Sequence, residues 1–513
     1  MAARADAKIV IIGCGISGIS AAHKLVNAGF QNVRILEATS RAGGRIKTAK
    51  LGNNIAEIGA SYIHGPSEEN PLFCLARDYG LLDSKAASPE NQAMDIDERP
   101  PWVPNFFSSS GQRLSAEEMN PALELFNELM EDTSQFGNLK EKPWHSVGHF
   151  LQSEARQRAA VRWKDKDKTT QEQRLCAVSA MLKGECCSSA THTMDNIDLV
   201  GFCMYKNLSG LDCTFPGGFE GLVKNLMVEL PAGLVSYNHP VRSVHWNKTK
   251  SRENTVTVEC DDGERIAADH VIVTVPLGYL KKHHSTLFSP PLPAHKLRSV
   301  HKLGFGTCNK IYVEFESPWW DEDCEVIYLV WNDEEDVVDQ VSDIKTCWIR
   351  KMSTFTVLKP SERSAAYKTH GHVLCGWIAG HEAEHMETLS ELELRQSVTE
   401  LFRAFTGDPS VTPKRILRTQ WFSDSWTCGS YCHPAIGCST KDLENMMEPL
   451  PTRGSHSKPL QVLFAGEATH PHFYSTVHGA LLTGWREADR LITHYSTFSS
   501  RSHPHKRETN KHR

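Results

Sequence analysis

The stretch Lys8-Ile9-Val10-Ile11-Ile12-Gly13-Cys14-Gly15-Ile16-Ser17-Gly18, followed by an Ala/Leu-rich pattern over residues 16–28 and by Val33-Arg34-Ile35-Leu36-Glu37, decides the fold. A short apolar run stops at glycine, apolar residues then recur at helical spacing, and a second short run ends in an acid. This predicts strand, helix, strand. The turn between the first two elements is a GxGxxG, and Glu37 comes 24 positions after Gly13. Gly13, Gly15 and Gly18, with Ser17 among them, let the backbone turn tightly and bring N–H groups and a helix N-terminus against a pyrophosphate. Glu37 is placed to accept from ribose hydroxyls. The hexapeptide alone fits a ligand-free turn equally well; strand, helix and acid in register point to a dinucleotide.

Composition sets the outer limits. At roughly 100–200 residues per domain, 513 residues allow three domains, or one catalytic unit made of two interleaved ones. With 40% apolar residues, 34 Gly and 25 Pro, the chain can bury a sizeable core. A net charge of −6 offers no footprint for nucleic acid and mildly favours cationic partners. No run reaches about 18 apolar residues, and the opening residues MAARADAK lack the pattern of a secretory signal. The expectation is a soluble, monomeric protein with neither membrane nor nucleic-acid partners. Fifteen cysteines are scattered, with one adjacent pair (Cys186, Cys187) and neither zinc spacing nor a redox CxxC. They are expected to be reduced, and no metal set is expected.

Farther along, residues 241–246, 255–260 and 270–275 read as strands rejoining the first sheet, and 461–464 as another strand ahead of a helical pattern over 479–493. Helices are expected over 116–131, 147–162 and 171–184, and an antiparallel group over 310–315, 326–331, 346–357 and 372–379. The predicted class is α/β (α+β). A Rossmann-like domain (residues 1–85, 220–296 and 411–497) is interleaved with a substrate domain of antiparallel sheet plus helices (86–219 and 297–410). Residues 498–513, basic and poor in apolar groups, are expected to be a disordered tail.

Five motifs in order resemble the flavin-containing amine oxidase family, from about Ile9 to about Ile492. Glu37-Ala38-Thr39-Ser40-Arg41-Ala42-Gly43-Gly44-Arg45 is similar to the family's GGR element, which places Arg45 against FAD. Glu57 to Pro66 includes Ser61-Tyr62-Ile63-His64-Gly65 and resembles the polyamine oxidase branch, with Tyr62 where Trp is usual; Ser61 and Tyr62 then border the cofactor, and His64 matches that branch's active-site histidine. Lys302 to Lys310 resembles the element whose lysine, here Lys310, holds a water beside the flavin. Cys308 stands where relatives tend to have Asn. Leu463 to His470 and Tyr474 to Ala480 match the C-terminal flavin element, through which Gly466, Glu467, Thr476 and Val477 inherit cofactor contacts. Val241, opening its predicted strand, joins the cofactor set. Gly429-Ser430-Tyr431 resembles the loop that carries a flavin-bonded cysteine in monoamine oxidases; a serine cannot supply that thioether, so FAD is expected to be non-covalent. Residues 182–187 and 210–215 resemble the acetylpolyamine-oxidising members more than the spermine-oxidising ones.

The resemblance implies oxidation of an internal secondary amine of N1-acetylspermine or N1-acetylspermidine, with O2 as acceptor. The products are spermidine or putrescine, 3-acetamidopropanal and H2O2. Hydride leaves carbon readily only when the adjacent nitrogen is neutral, and an apolar, aromatic-walled channel favours that form by desolvation. Remote ammonium groups still call for carboxylates. Glu185 and Asp212 are the candidates, with Tyr205 and Tyr431 as channel walls, Cys308 along the channel, and Ser188 and Ser475 adding polar contacts by family position. His64 would orient the substrate and Lys310 the water. The alternatives are a spermine oxidase and an FAD-binding homologue that has lost activity. The chain ends Lys511-His512-Arg513, not in a tripeptide like Ser-Lys-Leu, so a cytosolic location is expected ahead of the peroxisomal one common among relatives.

Overall fold

A computed structural model describes residues 4–94, 102–138, 144–247, 256–334, 343–358, 372–452 and 457–501. The opening stretch folds as strand Lys8–Ile12, helix Ile16–Asn27 and strand Asn32–Leu36. The two strands pair in parallel, Ile9 opposite Val33 and Ile12 opposite Leu36. Three more strands complete a five-stranded sheet in the order 462–464, 270–273, 8–12, 32–36, 235–236, with every pair parallel. The first strand is therefore central, and four of its five residues are buried. Its apolar residues split between two cores, Ile9 and Ile11 in one, Val10 and Ile12 in the other, as the alternation of a strand covered on both faces requires.

Helix Ile16–Asn27 packs against the helix that begins at Val477. Ser20 Oγ donates to Leu481 O at 2.9 Å. The helices come so close at Gly484 that a Cβ there would stand 2.2 Å from Ser17 O. Ile19 and Leu25 are fully buried beneath the contact, each worth about 1.5–3 kcal/mol of apolar burial.

The reading of the middle strands is corrected in part. Only 270–273 rejoins the first sheet; 241–245 and 256–260 pair with 265–268 and 288–289 in a separate four-stranded sheet. The expected antiparallel group becomes a seven-stranded sheet in the order 415–418, 308–315, 372–379, 354–358, 326–330, 104–108, 113–114. It is mixed, because Val326–Val330 runs parallel to Pro104–Ser108. Thr346 lies in a short helix, Ile344–Cys347, and the strand starts at Thr354. Arg415–Arg418 joins this sheet by pairing with Ile311 to Glu314, although residues from 411 were assigned to the dinucleotide half. Helices Ala116–Thr133, Val147–Arg162 and Lys168–Ser188 share a core of their own. The last helix runs from Val477 to Arg501, so the backbone stays helical past 498; the rest of the expected tail lies outside the described residues. Among the described residues no helix is long and apolar enough to cross a membrane.

Candidate active site

The dinucleotide cradle forms where the parallel strands end. Gly13 N donates to Leu36 O at 2.9 Å, tying the glycine turn to the second strand. A Cβ at Gly18 would lie 2.1 Å from Gly13 O; only glycine lets the helix begin this close to the turn. Gly15 is different. A Cβ there would meet nothing within 4 Å, and the same holds at Gly466, so both backbones face open space at the mouth of the sheet. Gly43 N donates to Cys14 O at 2.8 Å, which brings the Gly43-Gly44-Arg45 loop onto the same mouth.

Glu37 is buried, with one oxygen accepting from Cys14 N at 2.8 Å and the other from Thr39 N and Oγ1 at 2.9 and 2.7 Å. The oxygen bonded to Cys14 N keeps a second lone pair, so the carboxylate shapes the turn and can still accept from a hydroxyl. His239 N donates to Glu37 O at 2.8 Å, which sets the buried Val241 and its strand beside this corner. At the other end of the mouth, Glu467 accepts from Arg45 Nη1 at 2.8 Å, Ser475 N at 3.0 Å and Cys432 N at 3.4 Å. Arg45 Nη1 also donates to Ser430 O at 2.8 Å. Thr476 caps the following helix, accepting from Gly479 N at 3.0 Å, and Val477 opens it. The set fits a dinucleotide with a flavin end: two open glycine backbones, a helix start, a buried acid and a guanidinium.

Lys310 crosses from the seven-stranded sheet to the first half of the chain. Its Nζ donates to Glu57 O at 2.7 Å, Gly59 O at 2.5 Å and Ser61 Oγ at 2.5 Å, and lies 4.8 Å from the centre of the Trp377 ring. Burial holds its pKa below that of an ordinary lysine. Three protons and three acceptors leave the ammonium with no free donor, so the expected hold on a water requires one of these bonds to open. His64 Nδ1 sits 2.7 Å from Asp212 Oδ2, and Asp212 Oδ1 accepts from Gly65 N at 3.2 Å. Asp212 was expected to read a distant cation; here it orients the half-exposed His64 ring, which is tilted against Tyr62 at 6.2 Å.

Glu185, expected to read a distant cation, lies near the end of helix Lys168–Ser188. Burial alone raises its pKa to about 7, and among the described residues no cation pairs with it. Its charge acts on Tyr431 and Tyr474, and Tyr205 meets Tyr474 edge to face at 5.6 Å. Tyr431 OH donates to Cys187 O at 2.6 Å. Ser188 is exposed at the helix end. Ser475 has φ +66 and donates to Cys432 O, so its hydroxyl serves the backbone ahead of any substrate.

Trp377 and Trp421 escaped the sequence reading, and Ser430 was read there only as unable to bond the flavin. Ser430 Oγ accepts from Cys308 N at 2.9 Å and donates to Cys308 O at 2.8 Å, a clasp between loop and strand. Trp377 sits under Lys310, and Trp421 Nε1 donates to Ile58 O at 3.0 Å. Each acts on a partner more than 60 residues away, beyond any local pattern. His239, Cys260 and Glu264 bring ligating atoms within 4.8 Å of one another, against the expectation of no metal set. Glu264, however, already holds Arg34 at 2.7 and 3.0 Å and His239 at 2.6 Å.

An open glycine cradle facing a buried lysine is the arrangement of a flavoprotein oxidoreductase. The model of the family described as flavin containing amine oxidoreductase matches residues 16–492, and the chain belongs to that family. Over 494 residues it is 44% identical to the peroxisomal N(1)-acetyl-spermine/spermidine oxidase of Homo sapiens, covering 95% of each chain. The Bos taurus protein of the same name is 43% identical, with 95% of this chain and 94% of that one covered. Among solved structures, a putrescine oxidase double mutant superposes with a TM-score of 0.65 at 20% identity, over 95% of this chain and 99% of that one. That likeness concerns the fold.

Proposed function

We propose that the chain is an FAD-dependent polyamine oxidase that oxidises the internal secondary amine of N1-acetylspermine and N1-acetylspermidine. The products are spermidine or putrescine, 3-acetamidopropanal and H2O2. The observation that carries this reading is Glu185, a half-buried carboxylate that no cation pairs with among the described residues, in a wall of tyrosines, in a chain 44% identical to an acetylpolyamine oxidase. When bound, FAD supplies the hydride acceptor and the route to O2. The Gly13–Gly18 turn, Glu37, Arg45, Gly466, Glu467, Thr476 and Val477 would hold it, without a covalent bond at Ser430, whose hydroxyl is committed to Cys308.

The chain's own residues bind, orient and dry the substrate. Glu185 pairs with the distant ammonium, which fixes the register of the polyamine along the channel. Tyr431, Tyr474 and Tyr205 keep water from the reacting nitrogen, so its neutral form is favoured; every pKa unit of that shift corresponds to about 1.36 kcal/mol. His64, held by Asp212 through Nδ1, turns Nε2 toward the acetamido or amine side. Lys310 fixes the loop 57–61 against the sheet, and its ammonium would hold a water beside the flavin when one of its bonds opens. The two sheets correspond to an FAD half and a substrate half, with the boundary after residue 418 in place of 410.

A peroxide-coupled assay of purified holoenzyme over acetylated and free polyamines, run beside an absorption spectrum, tests the proposal. Higher kcat/KM on N1-acetylspermine than on spermine supports it. The reverse order makes the chain a spermine oxidase, and a yellow protein that no polyamine bleaches without oxygen makes it an inactive homologue.

A further inference from the structure

Two thiols that the proposed reaction leaves idle meet beside the channel. Cys187 lies in the last turn of helix Lys168–Ser188, and Cys308 opens strand Cys308–Phe315. Both are buried in one cluster with Ala190 and Ala379, packed against Trp377 and Tyr431. The Cys187 thiol donates to Lys183 O at 3.6 Å and the Tyr431 hydroxyl to Cys187 O at 2.6 Å, and the two cysteine side chains lie close enough for the Cys187 thiol to turn and bond the Cys308 sulfur. Ser430 clasps the Cys308 backbone from both sides, so each sulfur is carried on a braced segment.

The two sulfurs are not equivalent. The hydrogen bond to Cys308, reinforced by burial, pushes the Cys187 thiol well above its ordinary range. The interaction with Cys187, with the Tyr431 hydroxyl and Lys310 nearby, brings Cys308 below that range against the opposing effect of burial. Low-pKa thiols with a second thiol in reach are the ones peroxide oxidises reversibly.

We propose that Cys187 and Cys308 form an oxidisable dithiol at which hydrogen peroxide, made in the adjoining cavity, is reduced while a disulfide closes across the channel wall. The peroxide supply rests on the oxidase reading above; the dithiol itself does not. The Cys308 thiolate attacks one peroxide oxygen, forming S–O as O–O breaks, and the departing hydroxide takes up a proton to become water. Cys187 then attacks the sulfenic sulfur, S–S forms as S–O breaks, and a second water leaves with the Cys187 proton. The two sulfurs lose two electrons and the peroxide gains them. The bond would tie the helix end that carries Glu185 to the strand that carries Lys310. Turnover should then fall as the bond forms and return on reduction.

The test uses full-length holoenzyme exposed either to added hydrogen peroxide or to N1-acetylspermine in air, each with and without catalase. Free thiols are then alkylated in denaturant and the digest is read by mass spectrometry. The expected result is a Cys187–Cys308 linked peptide pair, two hydrogens lighter than the separate peptides. Catalase should abolish it, its yield should track the loss of turnover, and dithiothreitol should reverse both. Cys187→Ser should halt at a sulfenic acid on Cys308 that dimedone traps, while Cys186→Ser keeps the cross-link. Full alkylation of both thiols after added peroxide, with no dimedone adduct, overturns the proposal and leaves the oxidase reading standing. A Cys186–Cys187 disulfide in its place also overturns it. A cross-link with added peroxide but none with N1-acetylspermine keeps the dithiol and removes the oxidase as its source of peroxide.

Discussion

The dinucleotide cradle and the substrate channel are built in opposite ways. The cradle is largely local: Gly13, Gly15, Gly18 and Glu37 fall within one strand-helix-strand unit, closed by a backbone hydrogen bond from Gly13 to Leu36 and by one from Cys14 N to the Glu37 carboxylate. The channel is assembled across the chain. Lys310 reaches Glu57, Gly59 and Ser61, His64 reaches Asp212, and Ser430 reaches Cys308. The cradle's geometry depends on backbone that lacks side chains, whereas the channel's depends on side chains placed by two sheets and a helical layer. A substitution in the first should therefore act on folding and cofactor retention together, and one in the second on kinetics with the cofactor kept.

The largest effect should come from the cradle itself. Gly18→Val forces a side chain into Gly13 O, so the protein should fail to accumulate folded, as read by soluble yield and thermal melting. A Cβ at Gly15 meets nothing within 4 Å; Gly15→Ala should fold yet lose yellow colour. If the two variants behave alike, the division between packing glycine and ligand-facing glycine is wrong.

Lys310→Met comes next. It strands two buried carbonyls and Ser61 Oγ, and kcat should fall by about two orders of magnitude, the usual scale for a positioned proton-bearing group, while the flavin spectrum persists. Loss of the flavin instead would place Lys310 in the cradle's support and blur the comparison.

Glu185→Gln should raise KM for the acetylated polyamine roughly thirtyfold, equal to about 2 kcal/mol, the low end for truncating one partner of a buried charge pair. The effect on kcat should be smaller. The pH dependence separates this group from the substrate amine. Burial places the Glu185 pKa at about 7 in the free protein, so the carboxylate is charged above that value and neutral below it. KM should therefore rise as pH falls from about 8 to about 6. In Glu185→Gln that limb should vanish, leaving only the contribution of amine protonation.

The smallest effect belongs to Ser430→Ala, which removes both side-chain bonds to the Cys308 backbone. A stability loss of about 1 to 3 kcal/mol is expected, measurable by denaturant titration, with flavin binding intact.

How far the sequence could be read follows the same division. The parallel strand-helix-strand with its glycine turn and the helix starts near 116 and 147 were legible because repeating apolar spacing and glycine placement act over a few residues. That the strand at 415–418 joins the seven-stranded sheet was not legible, since a four-residue strand carries no mark of the sheet that will accept it. Asp212 was read as a cation receptor because nothing in its neighbours announces that His64, 148 positions away, would claim it.

By itself the order of residues determined where the chain turns, which glycines can have no side chain, and which acid stands at the end of the second strand. Only the tertiary structure decided that Lys310 spends its three protons on the loop 57–61, that no cation among the described residues pairs with Glu185, and that two cysteines 121 positions apart are buried in one cluster. Backbone conformation responds to neighbours along the chain, whereas charge, hydrogen bonding and thiol reactivity respond to neighbours in space.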